Sequence, residues 1–330
     1  MIYDVLIIGA GPAGLSAALM LGRACRAVMV LDAGEPRNHA ARQVNGYLGV
    51  EGARPQEHRH RGLQQLARYD VECVLDRAVL AESVPDSGLP TLFRVQGESG
   101  QTRLARKLLF ATGVRDHLPQ IPGLQDCYGL SVHHCPYCDG WEHREQRLAA
   151  LGARVESTRD LAQLLMGWSN RIILLTNGER LCAADRDDCD RLGIQWEEQK
   201  LLRLVHDEGK LRQIAFSDET TLDCDALFFS SGSEPASDLP RKLGCEIKEK
   251  GQVETSSKQH TCVAGVFLAG DADGDVQFAI VAAGEGATAA TAINQELSDE
   301  NRKATARNAF DARRTETVRQ YLAEGGDGNS

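Results

Sequence analysis

Three glycines, Gly9, Gly11 and Gly14, fall between an apolar run and a helix-forming run, and few folds accommodate that punctuation. Asp4-Val5-Leu6-Ile7-Ile8 has the length and apolar character of a buried strand, and Leu15 to Leu21 has helical composition. Strand, Gly-rich turn and helix, in that order, is the context a dinucleotide fingerprint requires. Gly9 permits the tight turn, Gly11 lets backbone approach a pyrophosphate, and Gly14 allows the helix to pack close to the strand. Pro12 and Ala13 lie inside the same phosphate-facing turn. A second strand, Ala27 to Leu31, ends in Asp32, whose carboxylate is placed to accept hydrogen bonds from the adenosine ribose hydroxyls. The chain is therefore expected to open as a dinucleotide-binding α/β domain.

Cys135-Pro136-Tyr137-Cys138-Asp139 supplies the second constraint. Two cysteines two residues apart make a dithiol that exchanges two electrons, and an acid directly behind them can carry its proton. Pro136 removes a backbone donor and stiffens the turn, while Tyr137 adds aromatic surface. No second Cys or His pair stands at suitable spacing for zinc, and His133 and His134 precede Cys135 too closely to complete a tetrahedral site, so no metal is expected. Those histidines read as surface residues, with assistance to the dithiol as the alternative. Cys25, Cys73, Cys127, Cys182, Cys189, Cys224, Cys245 and Cys262 are irregularly spaced and read as reduced, small, partly buried side chains.

At 330 residues the chain is long enough for two compact domains, each with its own core. A net charge of −10 disfavours nucleic acid and anionic membranes as main partners. No apolar run approaches the ~20 residues that span a bilayer, and Met1 to Gly14 reads as a buried strand and turn instead of a signal peptide. The cytoplasm is the expected location, with peripheral membrane attachment left open. Arg54 to Asp70 reads as an exposed amphipathic helix whose basic run, His58 to Arg61, is a solvated face. Phe93 to Val95 and Lys107 to Phe110 read as strands, the second entering Ala111-Thr112-Gly113, and a turn-rich crossing segment runs from Val114 to Gly129.

In the order Gly9 to Gly14, Ala111 to Gly113, Ile121-Pro122-Gly123, Cys135 to Gly140 and Gly265 to Asp271, these marks resemble the low-molecular-weight thioredoxin reductase family of flavoproteins. The resemblance covers residues 1 to about 297. It implies an α/β fold of two Rossmann-like (FAD/NAD(P)-binding) three-layer domains. The FAD domain would comprise residues 1–116 and 245–297, interrupted by a central domain, 117–244, that carries the dithiol; 298–330 would form a helical extension and tail. It further implies one FAD per chain and a homodimer. Asp271 would bind the ribityl chain, with Gly270 beside it in the cofactor-binding set, and Gln277-Phe278-Ala279 would open a helix whose amides face the flavin's pyrimidine edge. Gln277 stands where the family often has arginine. Asn45 joins the cofactor-binding set, and Cys138 takes the flavin-facing role, Cys135 the substrate-facing role and Asp139 that of general acid and base.

The central domain departs from that family. Where an NADPH-using member has a second Gly-x-Gly-x-x-Ala turn, this chain reads Gly152-Ala153-Arg154-Val155-Glu156-Ser157, and Thr176-Asn177-Gly178-Glu179 after the next strand lacks the arginines that would neutralise a 2′-phosphate. A β-carbon at the second glycine position obstructs a pyrophosphate, so direct use of NADPH is not expected. The similarity then points to NADPH-independent relatives: dithiol oxidases, or diflavin-linked disulfide oxidoreductases in which a second FAD fills the degraded nucleotide site. Oxidation of a dithiol, small molecule or thioredoxin-like, with electrons passed to oxygen, a quinone or another flavin, is the expected reaction. A disulfide reductase fed by another donor such as ferredoxin is the alternative, and a non-catalytic flavin-binding redox sensor the third reading. A helix from Ala279 to Leu297 and a charged helical extension beyond it are expected, with Phe310 or Tyr321 as candidates to cap a flavin face.

Overall fold

The structure is a computed structural model that describes residues 1–85, 88–249, 251–274 and 276–324, with side chains to residue 307. The chain opens with β1 (Ile2–Ile8), α1 (Pro12–Arg23), β2 (Val28–Asp32), α2 (Pro55–Leu66) and β3 (Glu72–Leu75), then passes through β4 (Ala78–Ser83) and β5 (Phe93–Gly97) into β6 (Thr102–Phe110). It crosses over by β7 (Val114–Asp116), α3 (Leu124–Cys127), β8 (Val132–His133) and α4 (Pro136–Asp139). A second unit follows: β9 (Arg147–Gly152), α5 (Val155–Leu165), β10 (Arg171–Leu175), α6 (Ala183–Leu192), β11 (Gln195–Glu197), the meander β12 (Leu201–Asp207), β13 (Lys210–Phe216) and β14 (Thr221–Asp223), and β15 (Ala226–Ser230). The return runs through β16 (Ser233–Pro235), α7 (Leu239–Lys242), β17 (Val266–Leu268) and α8 (Ala279–Glu324).

Both units share one plan. The first sheet has the order β3-β2-β1-β6-β5-β4, with β17 also paired to β6; the second has β11-β10-β9-β15-β8. In each, the first strand and its two successors on one side pair in parallel, as helical crossovers dictate. Strand periodicity divides each apolar run between two cores. Val5 and Ile7 of β1 face α1 and α8, whereas Leu6 and Ile8 pack with Phe93, Val95 and Leu268 on the other face. In the second sheet Ala149 and Leu151 join Phe229 on one side, while Leu148 and Ala150 join Phe228 on the other. Burial on both faces explains why these strands are continuously apolar. Antiparallel pairing of β7 with β16 joins the outward and return crossings, and the chain is back in the first core by Leu239.

The α8 helix is rich in Ala and Gly because it runs tightly against the start of α1. A β-carbon at Gly286 would lie 2.1 Å from the Ala13 carbonyl oxygen. The helix expected to Leu297 and the charged helical extension expected beyond it form one element: α8 is continuous to Glu324, and the sequence from Ser298 to Leu322 contains no Gly or Pro to interrupt it. The side chains of Phe310 and Tyr321 lie outside the described residues. Among the described residues no helix is long and apolar enough to cross a membrane.

Candidate active site

The Gly-rich turn connects β1 to α1. Pro12 and Ala13 occupy the first two positions of α1, with Gly11 as the preceding cap. A β-carbon on Gly9 would come within 2.3 Å of the Ala111 carbonyl oxygen, and one on Gly14 within 1.9 Å of the Gly9 carbonyl oxygen, so both must be glycine for turn, helix and β6 to meet. Gly11 differs, for nothing lies within 4 Å of the place its β-carbon would take. The open space is at the helix N-terminus, where unpaired amides attract a phosphate. Asp32 accepts a hydrogen bond from the Ala10 amide at 3.0 Å. Thr112 Oγ1 is buried with no hydrogen-bond partner among the described residues, and an orphaned buried hydroxyl costs about 1–3 kcal/mol unless a ligand or water satisfies it. The open backbone, the carboxylate and the orphaned hydroxyl fit the pyrophosphate and ribose of a dinucleotide.

The C-terminal marks meet this cradle from the other side. The Gly270 amide donates to Glu285 Oε2 at 2.6 Å, and its β-carbon position is 3.1 Å from that of Ala13. Asp271 is held by Arg37, whose Nη1 lies 2.8 Å from Asp271 Oδ2 and whose Nε donates to Asp116 Oδ2 at 2.9 Å. Gln277 Nε2 donates to the Asp271 carbonyl oxygen at 3.4 Å, and Phe278 and Ala279 lead into α8. Gly113 accepts the Ala236 amide at 2.9 Å, which ties the end of the Ala111-Thr112-Gly113 stretch to the return crossing.

Cys135 and Cys138 form a disulfide at the start of α4. The Cys138 amide donates to Cys135 Sγ at 3.2 Å, a contact that favours the Cys135 thiolate once the bond is reduced. Two interactions hold this turn against the dinucleotide-binding unit: Asn45 Nδ2 donates to the Cys138 carbonyl oxygen at 2.8 Å, and the Tyr137 and Phe278 rings meet edge to face at 5.9 Å. Tyr137 and Trp141 are 62% and 66% exposed, so an aromatic rim, extended by Trp168 edge-on to Tyr137, faces solvent beside the disulfide.

Behind the dithiol lies a polar network. Asp139 Oδ2 is 3.4 Å from His133 Nδ1. Tyr128 donates to Asp116 at 3.2 Å and lies 3.2 Å from His134 Nδ1. Burial alone would raise the Asp116 carboxyl; the Arg37 hydrogen bond, His134 and Tyr128 outweigh it and hold the group below the ordinary carboxylate range. Burial and Asp116 together push the Tyr128 phenol upward, and burial pulls His134 below the usual imidazole range. His133 is buried and His134 half-buried, so neither is the surface histidine expected from the sequence: β8 carries His133 into the second sheet, against Phe228.

At the second turn the end of β9 is closed by its own side chains. Ser157 Oγ donates to the Arg154 carbonyl oxygen at 2.8 Å and accepts the Arg154 amide at 3.2 Å. Thr158 Oγ1 accepts the Gly152 amide at 2.8 Å. These hydroxyls take up the Gly152 and Arg154 amides, two of the backbone donors in the turn.

Several participants were not legible from spacing. Arg37 follows Pro36 at the start of a single 3₁₀ turn that leaves no periodic signal, yet it joins Asp116 to Asp271. Arg59 pairs with Asp32, and His58 meets the Tyr47 ring edge-on, so the basic run of α2 is only in part a solvated face. His143 belongs to no motif but touches His133. Of the cysteines expected to be partly buried, Cys25, Cys73, Cys182 and Cys262 are exposed, while Cys127, Cys189, Cys224 and Cys245 are buried. Among the described residues no group of three His, Cys, Asp or Glu could hold a metal.

A family model described as pyridine nucleotide-disulphide oxidoreductase matches residues 3–286. The thioredoxin reductase tcpT of Claviceps purpurea is 33% identical, over 82% of this chain and 86% of its own length. An Arthroderma benhamiae protein named probable thioredoxin reductase is 32% identical, over 92% of this chain and 82% of its own. The solved structure of HlmI superposes with a TM-score of 0.90 at 30% identity, covering 94% of this chain and 97% of that one.

Proposed function

Because the chain belongs to the pyridine nucleotide-disulphide oxidoreductase family, we propose that it is an FAD-dependent thiol-disulfide oxidoreductase that oxidises dithiols at Cys135 and Cys138 without taking hydride from NADPH. The observations that carry the second half are Arg154 at the second glycine position of the turn before α5 and the Gly152 and Arg154 amides bonded to the Thr158 and Ser157 hydroxyls. One FAD per chain in the cradle of Gly9 to Gly14, Asp32, Thr112 and Asp271, a homodimer, and a central domain of residues 117–244 complete the proposal.

A substrate thiolate attacks Cys135 Sγ, the Cys135–Cys138 bond breaks, and Cys138 leaves as a thiolate. The second substrate thiolate then attacks the substrate sulfur of the mixed disulfide and expels the Cys135 thiolate, so the substrate leaves as a disulfide. Asp139, directly behind Cys138, takes the substrate protons. FAD, held by the Gly9 to Gly14 turn, Asp32, Thr112 and Asp271, would supply the two-electron acceptor needed for the reduced cysteines to re-form their disulfide. The exposed Tyr137 and Trp141 offer aromatic surface to an apolar dithiol.

That same exposed rim also admits a protein partner, and relatives named thioredoxin reductases favour a second reading, reduction of a thioredoxin-like disulfide by electrons from another donor. An anaerobic titration separates the two. Dithiothreitol is expected to bleach the flavin absorbance and NADPH to leave it unchanged. Stoichiometric bleaching by NADPH would overturn the nucleotide-independent reading, and two flavins released per chain would overturn the single-FAD assignment.

A further inference from the structure

Oxidising a dithiol releases two protons beside the half-buried Asp139 carboxylate, which must pass on the first before it can take the second. The residues behind Asp139 form a route. His133 is 5% exposed; its Nδ1 lies 3.4 Å from Asp139 Oδ2 and its Nε2 lies 3.0 Å from His143 Nε2. His143 Nδ1 lies 2.9 Å from Gln146 Oε1, and both His143 and Gln146 are half-exposed. The first separation is slightly long, as hydrogen bonds of acid–base groups often are before substrate arrives.

We propose that His133 and His143 form a proton relay that carries the protons released by dithiol oxidation from Asp139 to solvent past Gln146. This rests on the dithiol exchange proposed above. Two neutral imidazoles that face each other through their Nε2 atoms share a single proton, which locks their tautomers together. With Gln146 accepting through Oε1, His143 carries its proton on Nδ1. His143 Nε2 then accepts from His133 Nε2, which leaves His133 Nδ1 bare and facing Asp139. A proton leaving the Asp139 carboxyl adds to His133 Nδ1, the His133 Nε2 proton passes to His143 Nε2, and the His143 Nδ1 proton departs to water. The chain now has reversed polarity, with Gln146 able to donate from Nε2 after its amide turns, and it resets as the tautomers return.

The balance is complete without a further reagent. Substrate dithiol and enzyme disulfide become substrate disulfide, two cysteine thiolates and two protons, and each proton travels through Asp139. Burial lowers the proton affinity of His143 against the opposing hydrogen bond to Gln146 Oε1, which favours passing a proton on over holding it. The charged groups facing the pair are Asp139 and, at longer range, Asp225. His134 and the Arg37–Asp116 pair stand next to them.

The test is the rate of electron exchange between the dithiol and bound flavin in His143→Ala holoenzyme. It is read with dithiothreitol or, should wild type be reduced by NADPH, with the cyclic disulfide of dithiothreitol as oxidant. Wild type thus decides the direction of the reaction independently of the relay. The variant is expected to exchange at least about 10-fold more slowly, still short of the loss of roughly 10² to 10⁴ that follows removal of an acid–base group itself. Added imidazole is expected to restore the rate with a pH dependence that follows imidazole's own titration, a response that a packing defect would not give. Gln146→Leu, on the half-exposed end, is expected to slow exchange by a smaller factor and guards against a folding defect in the first variant. Wild-type rates in both variants, or slow rates indifferent to imidazole, would overturn the relay.

Discussion

At Gly11 the side chain can be changed without touching the fold, because nothing lies within 4 Å of its β-carbon position and its φ is −75°. Gly11→Ala is therefore expected to unfold in urea within about 0.5 kcal/mol of wild type. The same methyl group projects into the space proposed for the pyrophosphate. Its FAD affinity, read by flavin retention on dilution, should fall at least about 10-fold, or about 1.4 kcal/mol. The histidines predict a pH response. Burial depresses His134 and His143, so both bind protons more readily when unfolded than in the fold. Their contribution is fully present above about pH 6.5 and is lost as pH falls below it. Asp116, held below the ordinary carboxylate range, contributes in the same sense at lower pH: its share is present above about pH 4 and lost as pH falls through its depressed value. Thermal melts should show Tm falling from about pH 7.5 to about pH 5.5, and His134→Gln should flatten part of that fall.

Among the elements, α8 is fastened to the first sheet by a buried cation. Lys107 of β6 is 2% exposed, and its Nζ lies 2.7 Å from both Glu296 Oε2 and Glu300 Oε1. Arg106 reaches Glu300 at 2.7 Å, and His260 reaches Glu296 at 3.1 Å. Removing Lys107 breaks two charge-assisted hydrogen bonds yet leaves Glu300 with Arg106 and Glu296 with His260, so the cost stays below the about 3–5 kcal/mol of a buried charge left uncompensated. Lys107→Ala is expected to lose about 1.5–3 kcal/mol in urea unfolding. Amide exchange should accelerate in α8 from Glu296 onward while the N-terminal turns of the helix, packed on α1 through Gly286, stay protected. Equal protection along the whole helix would show that apolar packing alone holds it.

At the scale of the whole molecule, function depends on how the dithiol turn rests against the dinucleotide-binding unit. Asn45 crosses that boundary with one hydrogen bond to the Cys138 carbonyl oxygen, and the Tyr137–Phe278 ring pair crosses it as well. A single such bond contributes about 1 kcal/mol, which shifts a docked-to-undocked population by about fivefold. Asn45→Ala should keep its FAD and its disulfide while electron exchange between flavin and cysteines slows by about that factor in stopped-flow absorbance. An unchanged rate would mean that the ring contact and the β7–β16 crossing set the docking by themselves.

The sequence by itself determined the features whose causes are local. Strand runs such as Val5 to Ile8, the demand for glycine at Gly9 and Gly14, the Cys135–Cys138 spacing and the missing second Gly-rich turn each depend on neighbours along the chain, where periodicity and backbone sterics act. Even there, the two helical segments expected on either side of Ser298 are one continuous helix, because a change from apolar to charged composition alters what a helix faces without ending it. Tertiary structure alone decided which polar groups meet. With 37 basic and 47 acidic residues, no local rule selects Arg37 for Asp116 and Asp271, Arg59 for Asp32, or Lys107 for Glu296 and Glu300. The link from Asp139 through His133 to His143 likewise exists only because β8 docks beside β15 and buries His133 against Phe228. Coulomb attraction and hydrogen bonding act over a few ångströms of space regardless of separation along the chain, so those pairings are fixed only when the crossovers bring the strands together.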